Sequence, residues 1–279
     1  MTTPPARRAV ELPAVVPREA GRGGGRGLLT LLLLAALAWS LAQVEWRDGL
    51  LRTGGLAVLR DLAGGLVRPD VEAATLARAL DAAWRTVVYA VAGMTVAIAL
   101  GLPLGIVASG TLARTARGRR ASRVAGEGVL SAMRAVHELV WAWLFVVAIG
   151  LSPFAAVLAI GIPYAGILGR IAADLLIDVP AAPLAALRAA GAGEAKTLLY
   201  GRAPMALPDL IAYGFYRFEC ALRASAIMGF VGLGGLGFEI QAALSDLDFR
   251  AVGTFLLTLV VLITAVEAWS SVVRHELVR

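Results

Sequence analysis

Residues 86–108 read TVVYAVAGMTVAIALGLPLGIVA, an apolar stretch that contains no charged side chain. Because an α-helix needs roughly 20 residues to cross the hydrocarbon core of a bilayer, this stretch alone predicts a transmembrane helix. Further long apolar runs occupy residues 28–44, 139–169, 224–238 and 251–266. We therefore expect an all-α polytopic membrane protein.

The composition supports this class. Of the 279 residues, 59% are hydrophobic and 16% are charged, and the mean hydropathy is +0.77. A soluble domain is about 45–50% apolar and about 25% charged, so a soluble enzyme, a nucleic-acid-binding protein and a disulfide scaffold are excluded. Cys220 is the only cysteine, which leaves no intrachain disulfide and no thiolate metal cluster. We interpret the net charge of +6 as topology, because Lys and Arg collect in cytoplasmic loops.

The first 80 residues predict a tail, an anchor and an outer segment. Residues 1–27 contain five arginines together with Pro and Gly clusters, which indicates a disordered cytoplasmic tail. Residues 28–44 are predicted to be an N-terminal transmembrane anchor, with a cleavable signal peptide as the alternative. Residues 45–80 carry charges of both signs and are expected outside the cell, with a candidate amphipathic helix around residues 70–80.

The remaining spans follow from the basic loops. The apolar run at residues 139–169 is too long for one span and too short for two. Two spans, joined by a tight outer turn at residues 150–153, keep the basic segments 114–123 and 188–202 in the cytoplasm. The third span must then begin near Ala125. The six predicted spans are residues 28–44, 86–108, 125–150, 154–173, 207–230 and 251–272, with both termini in the cytoplasm.

Two glycine-rich strings resemble nucleotide-binding motifs without their context. Gly232, Gly234, Gly235 and Gly237 fit G-x-G-x-x-G, but they end a predicted span and do not lie in a βαβ unit. We interpret them as close helix packing or as a gate-like break. Residues 191–197 resemble a phosphate loop that lacks the glycine before its lysine. The chain is therefore expected to bind no ATP, no cofactor and no metal, and to have no catalytic residues of its own.

The cytoplasmic segment is the most informative part of the sequence. Residues 183–191 read PLAALRAAG, and after nine further residues comes GRAP at 201–204. This spacing resembles the coupling loop of permease subunits in binding-protein-dependent ABC importers, in which a short helix, a glycine turn and a second helix contact the ATPase. The resemblance implies a coupling loop at about residues 177–207, although Gly201 replaces an apolar residue of the pattern; a plain amphipathic connector is the alternative. The residues that would carry this role are Ala185, Ala186, Arg188, Gly191, Glu194 and Pro204.

Several other stretches are similar to the phosphonate/phosphite family of importer permeases. These are residues 134–142, 187–192, 216–219, 223–237 and 269–274. The resemblance implies a type I ABC importer permease-like core of five helices at residues 81–274, plus the N-terminal helix, in a bacterial inner membrane. It also implies a homodimeric channel, an ABC ATPase and a periplasmic or lipid-anchored substrate-binding protein. The cargo would be phosphonate, phosphite or a related oxyanion. The alternatives are the same machinery for phosphate or an amino acid, and a non-ABC membrane enzyme or channel.

Charged residues within the predicted spans form two clusters near mid-membrane. Inserting one unpaired charged side chain at that depth costs roughly 2.5–3.5 kcal/mol. The residues of the two clusters are Arg134, His137, Glu138, Arg217, Glu219 and Arg223. The i,i+4 spacing predicts that Arg134 pairs with Glu138 and that Glu219 pairs with Arg223. Arg217 has no acidic residue at this spacing, so we expect a partner elsewhere, such as Glu138. Two interpretations stay open: a polar network that fixes packing, and a translocation path for an anion.

Overall fold

The computed structural model describes residues 23–43 and 54–277, and every regular element among them is helical. The predicted tail up to residue 22 and residues 44–53 of the predicted anchor and outer segment lie outside the described residues. The chain divides into two compact units after Leu56. The first contains α1 (Gly23–Ala42), so that residues 23–27 of the predicted tail are helical.

The second unit is a bundle of helices connected by short turns. A π-helical turn at Leu198–Arg202 leads into α9, and a 3-10 turn at Gly229–Val231 follows it. The helices after α1 are α2 (Gly55–Val67), α3 (Ala73–Ser109), α4 (Ala116–Ala135), α5 (Glu138–Ile149), α6 (Pro153–Asp178), α7 (Ala181–Ala189), α8 (Glu194–Thr197), α9 (Ala203–Met228), α10 (Leu236–Ser245) and α11 (Phe249–Leu277).

The centre of the bundle is the contact between α3 and α6, which is built on small residues. An ideal Cβ on Gly101 would lie 2.7 Å from the carbonyl oxygen of Ala165, and one on Gly105 would lie 2.5 Å from that of Gly169. Both distances are shorter than side chains allow, so only glycine permits this approach. The four-residue spacing of Gly101 and Gly105 is the small-residue pattern that lets helices pack closely in membranes.

Within residues 23–43 and 54–277, four helical segments are long and apolar enough to cross a membrane: α3, α6, the run from α8 to α10 (Glu194–Ser245) and α11. The third predicted span, residues 125–150, is wrong as a continuous helix: α4 and α5 meet at an 83° bend. His137 lies in extended conformation at this break, and its Nδ1 accepts a hydrogen bond from Leu139 N at 3.3 Å. Trp141 Nε1 donates to Met133 O at 3.2 Å, which satisfies a carbonyl that the end of α4 leaves free. Among the described residues, the structure thus has four spans, or up to five if the bent pair is one span, and the apolar α1 at the position of the first predicted span is shorter.

The described part of the outer segment is an ordered cap. α2 packs on the start of α11 where Gly65 and Gly253 approach so closely that neither has room for a Cβ atom. The candidate amphipathic helix around residues 70–80 is the first part of α3, which begins at Ala73. Asp70 accepts hydrogen bonds from Thr75 Oγ1 at 2.6 Å and from Glu72 N at 3.0 Å, which together lower the pKa of Asp70 below its ordinary value.

Candidate functional site

Polar cavities lie at two opposite ends of the bundle. One of about 320 Å³ is lined by Asp81, Tyr89, the α5–α6 turn and the glycine loop, which we define as residues 232–235. Another of about 340 Å³ is lined by Ser109 and by four arginines of the basic segments 114–123 and 188–202. The 20 residues from Tyr89 to Ser109 of α3 extend about 30 Å at about 1.5 Å per residue. We name these regions the glycine-loop end and the arginine-rich end.

The predicted helix–turn–helix of the coupling loop is present at the arginine-rich end. α7 ends at Ala189, and two residues later Gly191 has a φ of +85°, in the left-handed region that favours glycine. The N–H of Gly191 donates to Arg188 O at 2.9 Å and the N–H of Ala192 donates to Leu187 O at 3.0 Å, which is the Schellman arrangement. Arg188 Nη2 also donates to Glu194 Oε2 at 3.0 Å across the turn. Gly191 is therefore required by the backbone of this turn.

Tertiary contacts explain why Gly201 replaces the apolar residue of the coupling-loop pattern. A Cβ on Gly201 would lie 2.8 Å from Leu184 Cδ2 and 2.9 Å from Leu187 Cδ1, so the leucines of α7 occupy the space of an apolar side chain here. Pro204 lies in the first turn of α9, where a missing N–H is tolerated. Arg202 donates to the carbonyl oxygen of Leu176, which joins the π-helical turn to the end of α6.

The remaining residues predicted for the coupling loop lie on its surface. Ala185 and Ala186 of α7 are exposed, whereas Leu184 beside them is buried. α7 therefore presents small side chains outward and packs its leucines inward. The exposed face of α7 is therefore formed by small side chains and is accessible to a partner protein.

Both predicted intrahelical ion pairs are wrong. Arg134 and Glu138 lie on either side of the α4–α5 bend, and Arg134 Nη2 instead donates to Ser131 Oγ at 3.4 Å. The carboxylate of Glu138 instead lies beside the imidazole of His137, with 3.6 Å between His137 Nε2 and Glu138 Oε2. Because the bend turns α5 away from the axis of α4, the i,i+4 geometry of a continuous helix does not exist here.

The charges of α9 are paired with α11. Arg274 Nη1 lies 2.9 Å from Oε1 of the buried Glu219, in ion-pair contact without hydrogen-bond geometry. Arg223 Nη2 donates to Glu267 Oε1. The predicted Glu219–Arg223 pair does not form, because α11 packs alongside α9 and places an opposite charge next to each residue. These two pairs fix the contact between the two helices.

Arg217 is held by aromatic side chains of its own helix. Its Nε donates to Tyr213 Oη at 2.7 Å, and its guanidinium lies 5.1 Å from the ring centre of Tyr213 and 5.4 Å from that of Tyr216. The expected ion pair with Glu138 is not among those of the described residues. A guanidinium has five N–H donors, so the half-buried Arg217 keeps further donors, and its charge has no ion-pair partner within the part of the chain that the structure describes.

The structure brings part of the predicted polar cluster together. The buried phenol of Tyr164 in α6 lies within electrostatic range of Glu138, Arg217 and Arg223. The side chain of Arg134 is exposed on α4, and its backbone packs against Gly166 of α6. Glu138 of α5 and Arg217 and Arg223 of α9 therefore lie near the same residue of α6, whereas Glu219 is paired with α11.

The glycine loop is closely packed against α3. Gly232, Gly234 and Gly235 all have φ between +81° and +85°. The buried hydroxyl of Thr86 accepts a hydrogen bond from the N–H of Leu236 at 3.0 Å just after this loop. Gly237 lies against the backbone of α9 where a Cβ atom has no room. The structure therefore supports close packing at Gly235 and Gly237, whereas a Cβ atom on Gly232 or Gly234 would make only ordinary contacts.

Several residues that link neighbouring helices were not predicted from the sequence. Thr86 also accepts, at its carbonyl oxygen, a 2.8 Å hydrogen bond from Ser225 Oγ of α9, and no sequence signal distinguishes it from other threonines. Arg170 of α6 forms 3.0 Å ion pairs with Glu127 of α4 and with Asp174. The i,i+4 spacing of Arg170 and Asp174, next to an apolar run, is a signal that could have indicated this link.

The described residues thus form a helical bundle with a polar cavity at each of two ends. Residues 101–275 match the family described as binding-protein-dependent transport system inner membrane component. The chain belongs to this family, and is thus the permease subunit of an ABC importer. This confirms the predicted resemblance, the helical class and the absence of an enzyme role, and it implies ATPase and substrate-binding-protein partners.

Relatives and solved structures agree with this assignment. The chain is 32% identical to the phosphite transport system permease protein PtxC of Stutzerimonas stutzeri, over 95% of this chain and 96% of the relative. It is 34% identical to the phosphate-import permease protein PhnE of Mycolicibacterium smegmatis, over 71% of this chain and 36% of the relative. The MetNI methionine ABC transporter in an inward-facing conformation covers 75% of this chain and 100% of its own, with a TM-score of 0.66 and 20% identity. The fold is that of type I ABC importer permeases.

Proposed function

We propose that this permease subunit carries phosphite, a phosphonate or a related phosphorus oxyanion into the cell. The observation that carries the proposal is the 32% identity to a phosphite transport permease over nearly the full length of both chains. The MetNI likeness supports the fold alone and gives no argument for an amino-acid cargo.

The surroundings of Arg217 support an anionic cargo. Its guanidinium is oriented by the rings of Tyr213 and Tyr216, and no carboxylate neutralises it among the described residues. A guanidinium fork offers two parallel N–H donors to a tetrahedral oxyanion. We assign Arg217 to the translocation path, together with Arg134 and His137. Glu219 and Arg223, which are paired with α11, are assigned to packing.

We propose that the ATPase contacts the coupling loop at the exposed surface of α7. The Arg188–Glu194 pair and the Schellman turn at Gly191 make this loop rigid. Its connection through Arg202 to the end of α6 gives a route by which movement of the ATPase reaches the central helix. The glycine loop at the other end is assigned to the outer gate.

The proposed topology has the arginine-rich end in the cytoplasm and the glycine-loop end outside, with both termini in the cytoplasm of a bacterium. Lys and Arg collect on the cytoplasmic side of membrane proteins, and the arginines at residues 114–123 and 188–202 share one end of the bundle. We also propose that a second copy of the permease completes the channel.

Competition for uptake in whole cells tests the cargo. Cells that express the chain with its ATPase and binding protein are given radiolabelled phosphite, with unlabelled methylphosphonate, phosphate or methionine as competitors. We expect methylphosphonate and excess unlabelled phosphite to reduce uptake and methionine to leave it unchanged. Uptake that only phosphate displaces would assign the importer to phosphate. No phosphite uptake above that of cells without the permease would refute the proposed cargo.

A further inference from the structure

The cavity at the arginine-rich end carries an excess of positive charge. It lies between the end of α3, the start of α4, the end of α6 and the coupling loop, and its volume is about 340 Å³. Its charged lining consists of Arg119, Arg123, Arg188, Arg202 and Glu194. Among the described residues that line it, four guanidinium groups therefore face one carboxylate, and that carboxylate already accepts a hydrogen bond from Arg188.

Two of these arginines are held in place by backbone carbonyls. Arg123 Nε donates to Ser109 O at 3.1 Å, and Arg202 Nη1 donates to Leu176 O. Each bond uses one of the five N–H donors of a guanidinium, so further donors of both groups stay available in the lining. Arginines fixed in this way lose little side-chain freedom when an anion binds.

We propose that this cavity is a binding site for a tetrahedral phosphate oxyanion that enters from the cytoplasmic side. Such an anion balances the excess charge and accepts several hydrogen bonds at once from arginines. The inference goes beyond the proposed function, because this anion is not the transported cargo and its binding does not depend on what the cargo is. Free inorganic phosphate and the phosphodiester of an anionic lipid offer the same chemistry.

The position of the cavity gives the bound anion a regulatory effect. Arg119 and Arg123 belong to α4, whereas Arg188 and Arg202 both belong to the coupling loop. An anion shared by these side chains links the α3–α4 junction to the coupling loop. Movement of the loop away from α4 then requires loss of the anion, so the bound anion slows turnover of the complex.

Equilibrium binding of radiolabelled phosphate to the intact permease–ATPase complex tests the site, with the complex in nanodiscs of neutral phosphatidylcholine. We expect the Arg119→Gln/Arg188→Gln double variant to bind on the order of tenfold or more weakly, because it loses two charged hydrogen-bond donors. The matched control is Arg114→Gln/Arg117→Gln. It also removes two positive charges, from the basic segment 114–123, but neither arginine lines the cavity. Glu194→Gln is expected to bind phosphate more tightly, because it removes the carboxylate.

The outcomes separate the site from its alternatives. Equal affinity of the wild type, the two double variants and Glu194→Gln would overturn the proposal. The proposal would also be overturned if the wild type binds no phosphate while the Arg119→Gln/Arg188→Gln variant loses the ATPase. That result would indicate that the cavity binds a carboxylate of the ATPase. Displacement of phosphate when phosphatidylglycerol is added to the nanodiscs supports the site with lipid as the source. Binding that this lipid does not affect supports the site for free phosphate.

Discussion

Replacement of Gly191 by valine strains the coupling loop through its backbone alone. An L-residue in the left-handed conformation costs about 1–2 kcal/mol, and a β-branched residue is especially unfavourable there. Gly191 has φ of +85°, and no heavy atom lies within 4 Å of the position of an ideal Cβ, so steric contact adds nothing. A cost of one to two kcal/mol changes the ratio of native to distorted loop by a factor of about 5–30.

Co-purification of the ATPase with the permease measures this effect. We expect Gly191→Val to reduce ATPase association and ATP-driven uptake by up to about 5–30-fold, with membrane insertion unchanged. The matched control is Gly193→Val, because Gly193 has φ of −71° and equally open space. Gly191→Asn, which tolerates the left-handed conformation better, is expected to fall between Gly191→Val and the wild type. Normal association of Gly191→Val, or an equal loss from Gly193→Val, would refute the reasoning.

Three further predictions concern the path, the packing and the topology. Arg217→Gln is expected to assemble and keep basal ATPase activity while uptake of the anionic cargo slows at least several-fold; poor assembly would instead make Arg217 a packing residue. Thr86→Val leaves a buried backbone N–H without its acceptor and is expected to lower the free energy of unfolding by about 1–3 kcal/mol in detergent. Thr95→Val, which loses only a hydrogen bond within its own exposed turn, is the control and should cost little; equal losses would contradict the role of Thr86. A reporter fused after Gly150 should signal outside and one after Gly118 inside, and the reverse at either position contradicts the proposed topology.

The long helices could be predicted because hydrophobic length is a local property. Residues 86–108 had to be helical in a bilayer, and α3 contains all of them. The bend at His137 could not be predicted, because it depends on tertiary contacts such as that of Trp141 with the end of α4. α2 was also missed, since its packing on α11 depends on glycines that are distant in sequence, Gly65 and Gly253.

For the polar residues too, local conformation could be predicted from the sequence and tertiary pairing could not. The spacing of the coupling loop correctly predicted the turn at Gly191, because that conformation is set by adjacent backbone groups. The ion pairs were predicted wrongly, because i,i+4 spacing describes neighbours on one helix and says nothing of charges on a packed partner. Glu267 and Arg274 of α11 pair with α9 across the bundle. The phenolic partner of Arg217 was overlooked because only acidic residues were considered as partners.

ATP-driven uptake of radiolabelled phosphite into proteoliposomes tests the central claim most directly. The vesicles contain the permease with its ATPase, the binding protein is supplied outside, and ATP is enclosed in the lumen. The account predicts uptake that requires this chain, hydrolysable ATP and the binding protein together, and that stops when a non-hydrolysable ATP analogue replaces ATP. Phosphite uptake without ATP would contradict the account. So would ATP hydrolysis that is not stimulated by the loaded binding protein and is not accompanied by phosphite uptake.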